Sequence, residues 1–494
     1  MKTYIFSSAF FLLVSFAFIA QAQSAPDSVD VFIKDMMAKK RIPGLQLAVI
    51  QKGKVVKLAS YGLANVEQNI PATAESIFTI NSITKAFVGV AVMQLSEEGK
   101  LNVNDPIARY LDSLPVEWQK ITIRDLMTHT SGLPDMLTEK EEVLGDGTEE
   151  SAWKLATALP MEFKTGERFS YNQTGYVIIG KIINKLSGMH FTKFIETRQF
   201  NVAGMNLTRF GDSFDIITND AGGYTTIQNV GGKWLRGGPL GKNFIKFPVF
   251  YRTAAGIMST STEMANWIIA LQNGTLLKDK ASLQTLWSPA ILTNGKTGGF
   301  SKLLNGYALG FPTVSRAEHP AVAPVGGGRS TFFIYPKDDM AVVILTNLNG
   351  ANPDNFTDEV AAYYQPDMHV ANGFGLAPAT KKLRIALMKQ GFDKADRIAA
   401  DLKKKNADFK LDENDLNGWG YQLLADKKNN EALAIFKLNV SLHPNSSNTY
   451  DSLAELQDMN GDTAGALKNY KRVLELNPGN RNAAAQVKRL AGSK

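Results

Sequence analysis

The sequence contains no cysteine in its 494 residues. This absence excludes disulfides, thiol catalysis, zinc–thiolate sites and the lipid-modified cysteine of a lipoprotein. The five histidines are scattered without the spacing of metal ligands, and no basic stripe with interleaved aromatic residues indicates nucleic-acid binding. We therefore expect a protein that needs no metal or other cofactor and does not bind nucleic acid.

Near the N-terminus, Lys2 precedes an apolar run from Tyr4 to Ala20 that ends in the small-x-small signal Ala20-Gln21-Ala22. This pattern is typical of an export signal that is cleaved after Ala22. A membrane anchor, the alternative, needs about 20 apolar residues and a different C-terminal flank. We predict a signal peptide over residues 1–22, a periplasmic or secreted protein, and no integral membrane segment after cleavage.

The length of the chain exceeds the size at which a single hydrophobic core keeps growing, so at least two domains are expected. From Gly44 to Asn65 polar and apolar residues alternate around Lys52-Gly53, and a second β-rich pair, Ser330–Tyr335 and Met340–Thr346, flanks a turn. Helical periodicity dominates between these hairpins. The sequence therefore predicts an α+β domain over residues 23–365.

After this domain we predict a linker over residues 366–380 and a small all-α domain over residues 381–494. The tail contains an internal repeat, because Ala432, Phe436, Leu442 and Pro444 recur 34 residues later as Ala466, Tyr470, Leu476 and Pro478. This is the period of tetratricopeptide helix pairs, which indicates a possible protein partner for the tail. The run Lys403-Lys404-Lys405 is interpreted as a solvated helix end rather than a binding patch.

Two Ser-x-x-Lys tetrads occur in the chain, Ser82–Lys85 and Ser151–Lys154. The first follows a β-like run and opens a helix that is apolar nearly all round, which indicates burial. Residues three apart share a helix face, so the Lys85 amine is expected to reach the Ser82 hydroxyl and to act on it as a base. The second follows an acidic loop, and we interpret Ser151 as a helix N-cap.

Residues 27 to 365 resemble the family of serine β-lactamases, D-alanyl-D-alanine peptidases and esterases, closest to the class C β-lactamases and their esterase-like relatives. The resemblance depends on the Ser82 tetrad and on three further segments, in the order of the chain: Leu126–Leu133, Gly166–Tyr171 and Ala255–Thr260. It implies a β-lactamase/transpeptidase-like fold, with an antiparallel sheet and helices, and an acyl-enzyme on Ser82. Lys85 and Tyr171 are then expected to transfer protons.

The second family motif, normally Tyr-x-Asn, stands here as Tyr171-Asn172-Gln173. Gln173 offers the same donors and acceptor as asparagine from a longer stem. Asn172 is the alternative amide for the same place. We therefore include both residues among the candidates for substrate contacts.

The third motif, normally Lys or His followed by x-Gly, aligns with Pro324-Val325-Gly326, so its cationic side chain is missing. Gly326, Gly327 and Gly328 are expected on a strand, where glycines allow close approach of a substrate. By the resemblance, the backbone N–H groups of Gly327 and Ser82 form an oxyanion hole. Arg329 is expected either to replace the missing charge or to point into solvent.

These residues predict a serine hydrolase that acts on small esters or amides without a cofactor. A D-amino-acid peptidase or a β-lactamase proper is the first alternative, since both fit the ancestry that the resemblance implies. A second alternative is a non-catalytic cell-envelope scaffold, in which this domain binds peptidoglycan-like ligands without turnover and the repeats of the tail recruit proteins. His129 lies in a family-like loop and is interpreted as structural rather than catalytic.

Overall fold

A computed structural model describes residues 27–138, 142–230 and 233–492. The chain divides into two compact units, of which the first contains the chain up to Ser315 together with Pro320–Tyr363. The second contains Arg316–His319 and the chain from Tyr364 onward. The predicted signal peptide lies outside the described residues. Over the described ranges, no helix is long and apolar enough to cross a membrane.

The strands of the described residues all belong to the first unit, and the longest of them lie in its central sheet. They are β1 Gly44–Gln51, β2 Lys54–Asn65, β3 Ile70–Pro71, β4 Phe78–Asn81, β5 Arg209–Phe210, β6 Tyr224–Thr225, β7 Gln228–Val230, β8 Lys233–Leu235, β9 Gly241–Lys242, β10 Ile257–Ser259, β11 Gly306–Tyr307, β12 Pro312–Val314, β13 Ala321–Val322, β14 Val325–Gly326, β15 Ser330–Tyr335, β16 Met340–Thr346 and β17 Leu348–Asn349.

The central sheet is antiparallel and has the strand order β11-β12-β13-β15-β16-β1-β2-β3, with β14 paired to β15. Both predicted hairpins lie in it, and they are joined because β1 pairs with β16 in a register that places Leu45 opposite Thr346. A strand from the beginning of this unit and a strand from its end therefore lie side by side in the middle of one sheet. A separate small sheet, β4-β10-β5, holds the strand that precedes Ser82.

Helices cover the sheet in the first unit and make up most of the second. They are α1 Ser28–Lys40, α2 Thr84–Glu97, α3 Ile123–Met127, α4 Glu149–Ala158, α5 Thr174–Ser187, α6 Phe191–Ile195, α7 Asn201–Ala203, α8 Ser261–Gln272, α9 Lys280–Trp287, α10 Thr357–Ala362, α11 Pro378–Gln390, α12 Ala395–Lys405, α13 Glu413–Ala425, α14 Asn429–Leu442, α15 Ser447–Met459, α16 Thr463–Leu476 and α17 Arg481–Ala491.

The core of the first unit is built around α2, in which every residue from Thr84 to Leu95 is buried. Its Phe87 packs on Trp267 of α8, with ring centroids 4.2 Å apart, and edge-on against Phe200. Because α2 is enclosed on all sides, the first turn of this helix is rigidly placed. The predicted α+β class, with an antiparallel sheet and helices, is confirmed.

The second unit is helical. Its helix α11 starts with Pro378, a residue that suits the first position of a helix, and so begins inside the segment predicted as linker. The repeated residues Ala432 and Ala466 lie at equivalent places in α14 and α16, and both are fully buried. The 34-residue repeat thus corresponds to two successive helix pairs, α13–α14 and α15–α16.

The sequence had indicated Ser151 as the N-cap of its helix, but this prediction is wrong. The cap is Thr148, whose Oγ1 accepts a hydrogen bond from the Ser151 N–H, and Ser151 lies in the first turn of α4. Thr148 is also a favoured capping residue and lies three positions earlier. The acidic pair Glu149 and Glu150 occupies the first turn, where it complements the helix dipole.

Candidate active site

Ser82 lies in the turn between β4 and α2 and is partly exposed, whereas its neighbours Asn81 and Ile83 are buried. Asn81 has a positive φ of 48°, a conformation that asparagine tolerates better than most residues. The Thr84 hydroxyl donates to Asn81 O at 2.6 Å and accepts from Ile257 N at 3.1 Å. These bonds fix the turn and leave the Ser82 side chain at the surface of the site.

Lys85 is fully buried one turn further along α2. Its Nζ donates hydrogen bonds to Gln173 Oε1 at 2.8 Å and to the Ala254 carbonyl at 2.7 Å. The same atom lies 4.8 Å from the centroid of the Tyr171 ring and 5.0 Å from that of Tyr176. Two acceptors and two aromatic faces therefore hold the amine in one position.

Burial lowers the pKa of Lys85 from its ordinary value of 10.5 to about 7, and the charge of Asp135 partly opposes this shift. Burial likewise raises the pKa of Asp135, to about 6. The Asp135 carboxylate accepts hydrogen bonds from Leu137 N and Gln173 N, each at 3.2 Å. A neutral amine is consequently accessible near neutral pH, which is what a base requires.

Tyr171 lies beside this pair. Burial holds the pKa of its hydroxyl well above the ordinary value, while hydrogen bonding with Ser82 and with Gln173 acts in the opposite direction. The Tyr171 hydroxyl is therefore protonated at neutral pH and adjoins the Ser82 side chain. The structure brings together the three residues that the sequence selected as catalytic.

The two candidate amides have separate places. Gln173 contacts Lys85, but the buried Asn172 side chain donates to Leu133 O at 2.8 Å and accepts from Gly175 N at 3.0 Å. Asn172 therefore holds the loop against the start of α5 and does not enter the Lys85 network. The expectation that it contacts substrate is not supported by this arrangement, since both ends of its amide are engaged in the loop.

The glycine run differs from the sequence expectation. Gly326 lies on β14, but Gly327 and Gly328 form the turn to β15, with positive φ values of 55° and 61°. A Cβ on Gly326 would lie 1.9 Å from Ile80 O, and one on Gly327 would lie 1.9 Å from Asn81 Nδ2. These glycines allow the hairpin turn to pack directly against the strand that leads to Ser82.

Pro324 and Arg329 lie on either side of that turn, and both are buried. The Pro324 carbonyl accepts from Phe332 N at 3.1 Å, so the missing N–H is not needed for pairing with β15. Arg329 does not point into solvent as one alternative had it, because its Nη2 donates to Asn243 Oδ1 and its Nε is buried without a partner. Burial lowers the pKa of Arg329 to about 10.

His129 is buried with a positive φ of 59°. Its Nδ1 accepts a hydrogen bond from Asn172 N at 3.1 Å, and its ring lies 4.4 Å from that of Tyr171 and 4.6 Å from that of Tyr307. Burial and the nearby Lys85 charge hold the pKa of His129 well below its ordinary value. A neutral His129 therefore supports the Tyr171 loop, in agreement with the structural interpretation.

Among the residues that the structure describes, no group of three or more His, Asp or Glu residues is placed to hold a metal ion. The polar groups that the site brings together are the Ser82 hydroxyl, the Lys85 amine of lowered pKa and the Tyr171 hydroxyl. A sequence-family model described as Beta-lactamase matches residues 29–365, which is most of the chain. The protein belongs to the beta-lactamase family.

The chain is also similar in sequence to individual proteins. It is 26% identical over 328 residues to Protein flp of Staphylococcus aureus strain MRSA252, and the match covers 65% of this chain and 62% of flp. The chain thus spans less than two thirds of the length of that relative.

Solved structures repeat this similarity at the level of the fold. The octameric penicillin-binding protein homologue from Pyrococcus abyssi superposes with a TM-score of 0.58 at 26% identity, over 68% of this chain and 77% of that one. The D-amino acid amidase from Ochrobactrum anthropi SV3 gives a TM-score of 0.58 at 20% identity, over 69% of this chain and 99% of the amidase. The predicted β-lactamase/transpeptidase-like fold is confirmed.

Two groups of this beta-lactamase-family site were missed by the sequence analysis. The Ala254 carbonyl that accepts from Lys85 carries no side-chain signal, although it directly precedes the segment Ala255–Thr260 that supports the resemblance. Asp135 follows the segment Leu126–Leu133 by two residues. Its position next to a recognised segment was the one signal available in the sequence, because its electrostatic interaction with Lys85 appears only in the folded chain.

Proposed function

We propose that this protein is a serine hydrolase that forms an acyl-enzyme on Ser82 and acts on small esters or amides. The observation that supports this proposal best is the buried Lys85 amine, held by Gln173 Oε1 and Ala254 O, with a pKa of about 7. A lysine that only stabilised the fold would gain nothing from a position in which its charged form is so strongly disfavoured.

In the proposed reaction, the Ser82 hydroxyl attacks the substrate carbonyl while its proton passes to neutral Lys85, directly or through Tyr171. The leaving alcohol or amine takes that proton as the tetrahedral intermediate collapses. Water then attacks the acyl-enzyme and restores Ser82, with the same groups accepting and returning its proton. Gln173 keeps the amine in place throughout.

The developing oxyanion is assigned to the backbone N–H groups of Ser82 and Gly327. Support comes from the close packing of the Gly326–Gly328 turn on Ile80 and Asn81, which leaves no room for a side chain at Gly326 or Gly327. Loss of one such donor typically costs about 100-fold or more in rate. The close packing of this turn therefore explains why Gly326 and Gly327 are glycines, whatever the geometry of the strand.

Neutral esters or amides are the favoured substrates because Pro324 stands where the family motif has a lysine or histidine. Gly326 faces Ile80 and Asn81 at the start of the Ser82 turn, and the alternation of an extended segment would place Pro324 on the same face. A proline at this place offers neither a charge nor a hydrogen-bond donor to a substrate carboxylate.

Arg329 favours a second candidate, an amidase or peptidase for substrates with a carboxylate. Its guanidinium is buried, its Nε has no partner, and no carboxylate of a described residue forms an ion pair with it. An uncompensated buried cation is costly, and an anionic ligand would remove that cost. The similarity in fold to a D-amino acid amidase agrees with this candidate, as does β-lactamase ancestry.

The test is labelling of the full chain with a fluorescent fluorophosphonate, read by intact mass, together with hydrolysis of p-nitrophenyl butyrate. Ser82→Ala should abolish both labelling and turnover. Ser151→Ala is the matched control, because Ser151 begins the other Ser-x-x-Lys tetrad and should leave both signals unchanged. A wild-type protein that is not labelled, or a fully labelled Ser82→Ala variant, contradicts the proposal and favours the non-catalytic scaffold.

Export to a periplasm or to the medium remains part of this proposal, and it depends on residues 1–22 alone. N-terminal sequencing of the protein recovered from the producing cells tests it. A mature chain that begins at Gln23 is the expected result.

A further inference from the structure

We propose that the helical second unit binds an extended acidic peptide segment of a partner protein in a groove between α12 and α14. The groove has a volume of about 690 Å³ and is lined by residues of α12, of the following loop and of the end of α14. This volume falls within the range of ordinary ligand sites, about 300–1,000 Å³. The proposal is independent of the reaction at Ser82.

The groove is basic. Lys403, Lys404 and Lys410 line it, whereas Asp396 is its only acidic lining residue. The ion pairs of the second unit that the structure describes involve other side chains, so these three lysines have no carboxylate partner among the described residues. Lys403 and Lys404 are exposed at the C-terminal end of α12, as expected of a solvated helix end, and Lys410 beyond the helix borders the same groove.

The floor of the groove is apolar. Phe409 and Leu438 are buried beneath it, and the Leu442 side chain at its edge is 42% exposed. An apolar floor between lysines suits a ligand that carries a bulky apolar side chain between carboxylates. The basic lining therefore favours an acidic peptide, and the apolar floor favours a peptide that also carries apolar side chains.

His443 supplies a further polar feature, since its Nε2 is buried and has no hydrogen-bond partner. Buried polar atoms are nearly always paired in folded proteins, and a turn of the imidazole toward the groove would let this nitrogen bond to a ligand group. A peptide backbone or a carboxylate offers such a group. The lining runs along α12 from Asp396 to Lys404, about 12 Å at 1.5 Å per residue. An extended segment of about four residues spans this length.

The probe is a fluorescein-labelled octapeptide of alternating glutamate and leucine, and binding to the full chain is measured by fluorescence anisotropy. The combined variant Lys403→Ala, Lys404→Ala and Lys410→Ala should weaken binding at least tenfold, equivalent to about 1.4 kcal/mol. The matched control, Lys468→Ala with Lys471→Ala and Lys488→Ala, removes the same charge from exposed positions that do not line the groove. It should change the dissociation constant less than twofold.

A second variant, Leu442→Asp, tests the apolar contact and the charge together and should also weaken binding at least tenfold. Thermal unfolding monitored by circular dichroism checks that each variant is folded. The proposal is overturned if the octapeptide does not bind, if both lysine triples lose affinity equally, or if Leu442→Asp binds as the wild type does. Binding of phosphatidylglycerol vesicles in place of the octapeptide would assign the lysines to a lipid surface and equally contradict the proposal.

Discussion

Asp135→Asn should shift the pH dependence of hydrolysis to lower pH. The proposed reaction needs neutral Lys85, whose pKa of about 7 is the balance between burial, which lowers it, and the charge of Asp135, which raises it. Below that pH the amine is protonated, so kcat/KM should rise with pH and level off above about pH 7. When the Asp135 charge is removed, nothing from this residue opposes the lowering of the Lys85 pKa by burial, so the pKa of Lys85 falls further.

The size of the shift follows from electrostatics. At an effective dielectric constant of about 20, two unit charges about 6 to 10 Å apart interact by about 2 to 3 kcal/mol. One pKa unit corresponds to about 1.4 kcal/mol. Because Asp135 itself has a pKa of about 6, it is only partly ionised over much of the acid limb. We therefore expect the midpoint of the limb to move down by about one pH unit.

The assay is kcat/KM for p-nitrophenyl butyrate from about pH 5 to about pH 9, at constant ionic strength. The asparagine keeps an oxygen that can accept from Gln173 N, so a purely structural role of Asp135 would lower the rate without moving the limb. Asp112→Asn is the control, since the Asp112 side chain is 89% exposed and pairs only with Lys185 at the surface. An acid limb that stays in place, or that moves to higher pH, would refute the reasoning.

Three further substitutions test the remaining parts of the site. Tyr171→Phe keeps the ring over Lys85 and removes the hydroxyl beside Ser82, so kcat should fall by about 100-fold or more while the melting temperature stays near the wild-type value; an unchanged kcat would exclude proton transfer by Tyr171. Lys85→Met should abolish turnover and raise the melting temperature at pH 7. The unfolded chain binds more protons than the native one between the two pKa values of Lys85, about 7 and 10.5, so wild-type stability should rise with pH across that window and the variant should lack this rise. Pro324→His should raise kcat/KM for carboxylate-bearing substrates by about ten- to a hundredfold, with little change for neutral esters; equal changes for both classes would remove position 324 from the specificity determinants.

The sequence predicted the elements of the first unit that have a strong local signal. Each hairpin combines alternation with a clear turn, and helices were expected between the hairpins because helical periodicity dominates that part of the sequence. The pairing of β1 with β16 was not predictable from local pattern, since the two strands are separated by almost the whole unit. The start of α4 was misplaced because Thr148 and Ser151 are both good caps, and only the fold selects between them.

The residues of the candidate site also divide into those that the sequence could predict and those that it could not. The convergence of Ser82, Lys85 and Tyr171 was predictable because their residue types and spacing follow from the chemistry and the family resemblance. The choice of Gln173 over Asn172 was not, because it depends on which of two adjacent amides faces Lys85 once α5 has begun. The turn at Gly327 and Gly328 was also missed, since a strand and a tight hairpin both accept consecutive glycines.

The charges of the site connect the protonation of Lys85 with the expected substrate. Above pH 7 the amine is largely neutral, while Asp135, with a pKa of about 6, is ionised. His129 is neutral as well, because burial and Lys85 hold its pKa low. In the form that the proposed reaction requires, the Lys85 network therefore carries a net negative charge, which repels a substrate carboxylate unless a cation compensates. With Pro324 in the third motif, Arg329 is the one cation on the adjoining hairpin turn. A preference for neutral esters thus implies that Arg329 is screened from the substrate by Asn243, whereas efficient turnover of carboxylate-bearing amides implies that Arg329 reaches it.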